Sequence, residues 1–136
     1  MPVLFNAMDP MPSDDELEEL FERVGIVPEY DTLNGVHYVS TGDADKPLLL
    51  FIHGSPGNWK GWADYLADTT LVEKFHMVSV DRKGFGNSEA AVEENYLAEQ
   101  AKALVPFLKQ SNTAQRPILV GHSYSVPIVI RLAMDK

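Results

Sequence analysis

Ile118-Leu119-Val120-Gly121-His122-Ser123-Tyr124-Ser125 passes from an apolar run to a glycine, then to two serines flanking a tyrosine. A short unbroken apolar run reads as a strand covered on both faces, and a helix is predicted from just after Ser123 to the end of the chain. A serine between a buried strand and a helix stands on a sharp turn, with its Oγ projected above the sheet. Strand and helix come close there, so the residues two before and two after the serine must be small. Gly121 meets that demand; Ser125 is small, but its Cβ tightens the fit. The turn requires a positive φ at Ser123, which non-glycine residues seldom adopt. It also aims the N–H of Tyr124 and the helix N-terminus at one point.

Two more apolar runs end in loops of unusual composition. Leu48-Leu49-Leu50-Phe51-Ile52 leads into His53-Gly54-Ser55-Pro56-Gly57, and Phe75 to Val80 leads into Asp81-Arg82-Lys83-Gly84-Phe85-Gly86-Asn87-Ser88. In an open parallel sheet all three loops share the carboxyl edge, where ligands bind. Gly54 lets the chain turn tightly and leaves the N–H of Ser55 free to point inward, while Pro56 restricts Ser55 to an extended conformation. The backbone N–H groups of Ser55 and Tyr124 then make a candidate oxyanion hole.

Along the rest of the chain, Ser13 followed by Asp14, Asp15 and Glu16 is a capping box. Leu17, Leu20, Phe21 and Val24 follow at helical spacing, and Gly25 stands where the helix would stop. Val36 to Ser40 alternates as a half-buried strand. Helices are predicted around Trp59 to Ala67 and from Val92 to Gln110, the latter with Leu97, Ala101, Leu104, Val105 and Leu108 on one face and kinked or divided at Pro106. The expected architecture is α/β: a mostly parallel sheet with crossover helices in a single domain. Residues 1–33 form an arm and helix, and residues 34–136 carry the strands and loops.

Composition narrows the function. Twenty acidic residues against eleven Lys and Arg give 136 residues a formal charge of −9, which argues against nucleic acid or an anionic membrane as partner. The absence of cysteine excludes disulfides, thiolate catalysis and cysteine-bound metal. No apolar run approaches the roughly 18 residues of a membrane span. The Gly84–Asn87 stretch lacks the third glycine of a dinucleotide fingerprint and the Lys of a P-loop. No metal-ligand spacing stands out, so neither metal nor other cofactor is expected.

These residues resemble the α/β-hydrolase superfamily from the second strand, Leu48 to Ile52, to the helix after the serine. The H-G-x-P motif matches at His53, Gly54, Ser55 and Pro56. The D-x-x-G-x-G-x-S loop matches at Asp81, Gly84, Gly86 and Ser88, and the nucleophile elbow at Gly121 and Ser123, with Ser125 as the departure. The spacing of about seventy residues from Gly54 to Ser123 suits the family. The resemblance implies that Ser123 is the nucleophile, that Ser55 and Tyr124 donate to the oxyanion, and that His53, Gly54 and Pro56 support that loop. Members that open epoxides or cleave carbon–halogen bonds use aspartate at the elbow. Serine implies attack on an ester, thioester or amide-type carbonyl of a small-molecule substrate, or cleavage of a carbon–carbon bond beside a ketone.

In the family the triad acid and histidine follow the nucleophile in chain order, and no residue before Lys136 matches either. The resemblance therefore implies the N-terminal half of the fold, truncated after the nucleophile helix and nearly inactive alone. His122 points away from its neighbour Ser123, His53 braces the oxyanion loop, and His37 and His76 read as structural or surface. Asp81 shapes its own loop, and Ser88 and Ser125 are loop hydroxyls. The alternative is a catalytically silent binding or signalling module on the same fold. An uncovered last strand would invite self-association or a complementing chain.

Overall fold

Every residue of Leu48–Ile52 (β3) is buried, and the pleat sends them to opposite faces. Leu48, Leu50 and Ile52 join one apolar cluster, Leu49 and Phe51 another. The unbroken run is thus two alternating stripes with a core on each side. The computed structural model describes residues 11–55, 57–91, 96–110 and 115–134.

The remaining strands are Glu29–Leu33 (β1), Val36–Thr41 (β2), His76–Val80 (β4) and Ile118–Gly121 (β5), in the order β1-β2-β4-β3-β5. β3 is parallel to both β4 and β5. β2 is antiparallel to β1 and to β4. The sheet is therefore mixed: the three apolar strands form its parallel part, and a hairpin extends one edge.

Helices cover both faces. Tyr96–Lys109 (α4) and Val126–Met134 (α5) place Ala101, Leu104, Phe107, Ile128 and Leu132 against the first cluster. Asp14–Val24 (α1) places Leu17, Leu20 and Phe21 on the second, beside Trp59, Ala63 and Leu66. Burial of each such leucine, isoleucine or phenylalanine side chain contributes about 1.5–3 kcal/mol. The α1 start is the expected capping box: Glu16 N–H donates to Ser13 Oγ and Ser13 N–H to Glu16 Oε1, each at 3.1 Å. It ends at Gly25, whose φ of 73° suits a residue without a Cβ.

Several expectations change. β1 lies inside the segment read as arm and helix; its residues are mostly exposed, so no apolar alternation betrays it. Its signal was Asn34-Gly35, both at positive φ (52° and 77°), the two-residue turn that favours a hairpin. The crossover after β3 holds a 3-10 turn at Trp59–Trp62, a short helix at Ala63–Leu66 (α2) and an unforeseen helix at Thr69–Lys74 (α3). Asp68 caps α3, its Oδ1 accepting from Thr70 N at 2.9 Å and Leu71 N at 3.0 Å.

α4 is not divided at Pro106. That proline sits in the last turn, where its missing N–H orphans only the carbonyl of the exposed Lys102. Leu97 stays exposed, and residues 92–95, read as the start of this helix, lie outside the described residues. In α5 the apolar residues divide: Ile128 and Leu132 are buried, Val126 and Ile130 exposed.

Candidate active site

Ile52 pairs with Val80 on one side and with Gly121 on the other. Three parallel strands therefore end level, and the loops beginning at His53, Asp81 and His122 leave the same edge side by side. Two of them meet directly: a Cβ at Gly54 would stand 3.0 Å from His122 O and 3.5 Å from Ser123 Cβ.

Ser123 opens a 3-10 turn, Ser123–Ser125, that leads into α5. Its φ is 54° and it is exposed, the backbone state expected of a serine on this turn. The demand for a small residue at 121 is steric: a Cβ there would stand 2.5 Å from Val129 Cγ2 and 2.9 Å from Ser125 Oγ. Ser125 resolves its own departure from the glycine pattern. It is fully buried, its Oγ accepts from His122 N at 2.7 Å, and it reaches Ile52 O at 2.8 Å and His122 O at 3.0 Å. Its hydroxyl occupies the tight space by tying the turn to β3.

His53 is buried and works as a brace. Its Nε2 accepts the backbone N–H of Arg82 at 3.0 Å, so the ring proton resides on Nδ1, which donates to Gly54 O at 2.6 Å. Burial holds the imidazole below its ordinary pKa of 6.5, and the charge of Arg82 acts the same way, against the hydrogen bond to Gly54 and the charge of Asp81. Ser55 is exposed beside it. Pro56 lies outside the described residues.

Asp81 is spent on its surroundings. Its carboxylate accepts from Trp59 N at 2.8 Å and Asn87 N at 3.0 Å, and pairs with His37 Nδ1 at 2.9 Å. A Cβ at Gly86 would collide with it. Ser88 Oγ donates to Asp81 O and accepts from His37 N at 2.8 Å. The second loop is a scaffold, and its carboxylate is engaged by Trp59, Asn87 and His37. His37 belongs to that scaffold, while His76 is half-buried, its pKa lowered mainly by that burial. Trp59 packs in the second core, its ring edge-on to Tyr30. Among the described residues no histidine or carboxylate hydrogen-bonds Ser123 Oγ.

One residue escaped the sequence reading. Arg82 is completely buried; Nε donates to His53 O at 3.0 Å, and Nη2 to Ser55 Oγ at 2.6 Å and Gly54 O at 3.3 Å. Its position is a variable one in the D-x-x-G-x-G-x-S pattern, and arginine is ordinarily an exposed residue, so nothing in one dimension marked it.

Level strand ends, a positive-φ serine on a strand–turn–helix, and a glycine loop against it define an α/β-hydrolase site. The chain belongs to that family: residues 47–135 match its model, described as the alpha/beta hydrolase fold. It is 39% identical over 71 residues to epoxide hydrolase 3 of Mus musculus, covering 52% of this chain and 19% of that protein. It is 30% identical over 99 residues to epoxide hydrolase 4 of the same species, covering 72% and 27%. Among solved structures, an epoxide hydrolase from Vigna radiata superposes with a TM-score of 0.65 at 22% identity, over 80% of this chain and 36% of that one. The chain thus spans about a fifth to a quarter of the length of these two relatives. Among the described residues no helix is long and apolar enough to cross a membrane.

Proposed function

We propose that this chain carries the nucleophile and oxyanion hole of a serine hydrolase that acts by acyl transfer on an ester, thioester or amide-type carbonyl of a small molecule. The observation that carries the reading is the exposed Ser123 at φ 54° between β5 and α5. In the reaction Ser123 Oγ forms a bond to the carbonyl carbon and passes its proton to a histidine base. The carbonyl π electrons move onto oxygen, between the N–H groups of Ser55 and Tyr124. Collapse expels the leaving group with that proton, and water then releases the acid. A lost oxyanion donor costs about 3–4 kcal/mol of transition-state stabilisation. The triad histidine and acid come from outside this segment.

The named relatives open epoxides, a reaction for which the family uses an elbow aspartate. Ser123 has no carboxylate to form the corresponding ester, which favours the carbonyl substrate. The silent-module reading draws on the absence of a base at Ser123 among the described residues. A fluorophosphonate applied to the full-length reading frame separates the two: labelling that disappears in Ser123→Ala supports the hydrolase, and a protein that never labels supports the silent module.

A further inference from the structure

Arg82 has no exposed surface, and among the described residues no carboxylate pairs with it. Burying a guanidinium is costly unless its donors are satisfied. Here the acceptors are three consecutive residues of the first loop: His53 O, Gly54 O and Ser55 Oγ. Nη1 reaches Tyr96 Oη at 3.4 Å, and the guanidinium carbon stands 4.4 Å from the Phe85 ring centroid and 5.9 Å from that of Tyr124.

The carbonyl of Gly54 and the N–H of Ser55 belong to one peptide unit, and in a planar trans peptide they point in opposite directions. Two buried donors hold that carbonyl, Arg82 Nη2 at 3.3 Å and His53 Nδ1 at 2.6 Å. The N–H is therefore turned to the side opposite Arg82 and His53, and Gly54 itself abuts His122 and Ser123. Flipping this peptide would break both bonds and present an oxygen, rather than a donor, to a developing oxyanion.

We propose that Arg82 is the positioning residue of the oxyanion hole, locking the Gly54–Ser55 peptide with its N–H facing the site. The proposal rests on the reading of Ser55 as an oxyanion donor. Its test needs no catalytic base: the ¹⁵N-labelled chain is titrated with methylphosphonate, a tetrahedral anion, and followed by NMR. In the wild type the Ser55 and Tyr124 amide resonances shift together and saturate. In Arg82→Met the Tyr124 amide still responds, the Ser55 amide does not, and binding is about ten-fold weaker. Arg82→Lys keeps the charge, but a point ammonium cannot bridge three acceptors, so it loses the Ser55 response too.

A wild-type response at Ser55 in either folded variant overturns the proposal. If neither variant folds, the wild type decides through hydrogen-bond couplings from Arg82 Nη2 and His53 Nδ1 to the Gly54 carbonyl; absence of the Arg82 coupling overturns it. The hydrolase reading fails separately. Fluorophosphonate labelling of Ser123 alongside a wild-type Ser55 amide indifferent to the anion removes the role of Arg82 alone. An Arg82-dependent response at Ser55 in a protein whose Ser123 never labels removes the hydrolase and leaves the lock standing.

Discussion

Ser125 Oγ donates a 2.8 Å hydrogen bond to the carbonyl of Ile52, seventy-three residues earlier in the chain. That bond joins the turn bearing Ser123 to the strand that launches the His53–Gly54–Ser55 loop. It fixes the spacing of the two halves of the site from beneath. Ser125→Ala leaves the buried Ile52 O and the part-buried His122 N–H without this partner. The expected loss is about 1–3 kcal/mol, read as a lower urea midpoint with an unchanged m-value. A stability equal to wild type would mean that the turn holds its position without the hydroxyl.

Ser123 carries a backbone strain that its neighbours impose. A left-handed conformation costs a residue with a Cβ roughly 1–2 kcal/mol, and glycine little. Ser123→Gly should therefore be more stable than Ser123→Ala by about 1 kcal/mol, part of the gain being offset by the extra freedom of glycine when unfolded. Paired urea titrations check this. Both variants should be blank toward fluorophosphonate, so stability and labelling separate at this one position.

Stability should fall on mild acidification. His53 and His76 both have folded pKa values below their ordinary 6.5, chiefly through burial. The unfolded chain then binds protons that the folded chain refuses, so their neutral forms leave stability intact above about pH 6.5. Stability is lost as pH falls from there toward the folded values, by up to about 1.4 kcal/mol per pH unit for each group. Protonating His53 also removes the acceptor of the Arg82 N–H. Urea midpoints between pH 8 and 5, with His53→Asn flattening part of the slope, provide the check; a flat wild-type profile contradicts the assignment.

Residues 1–136 alone should turn over esters barely at all. Ser123 needs a base, and losing the base of a comparable triad lowers kcat about 10⁶-fold. β5 is the last strand of the described sheet, and Ile118, Val126 and Ile130 are exposed near it, an edge open to pairing. Nitrophenyl ester turnover and molecular mass, measured on one preparation, test both expectations. A monodisperse monomer with robust turnover lost in Ser123→Ala would show that a base exists within these residues.

What could be read in one dimension was whatever repeats at short range. The apolar run at Leu48–Ile52, the Gly121-x-Ser123 spacing and the Ser13–Glu16 box each depend on residues within a turn or a strand of one another. Local sterics therefore determine them, down to the positive φ at Ser123. β1 failed that test because its residues face solvent, and only the antiparallel register with β2 gives them a partner. Arg82 and Ser125 failed for a different reason. Each is polar and its partners lie far away in sequence, at His53 to Ser55 for the arginine and at Ile52 for the serine. A buried hydrogen bond is worth its desolvation only where the fold brings the acceptor. The identity of the serine turn thus belongs to the sequence, and the posture of the loop opposite it was decided by tertiary packing.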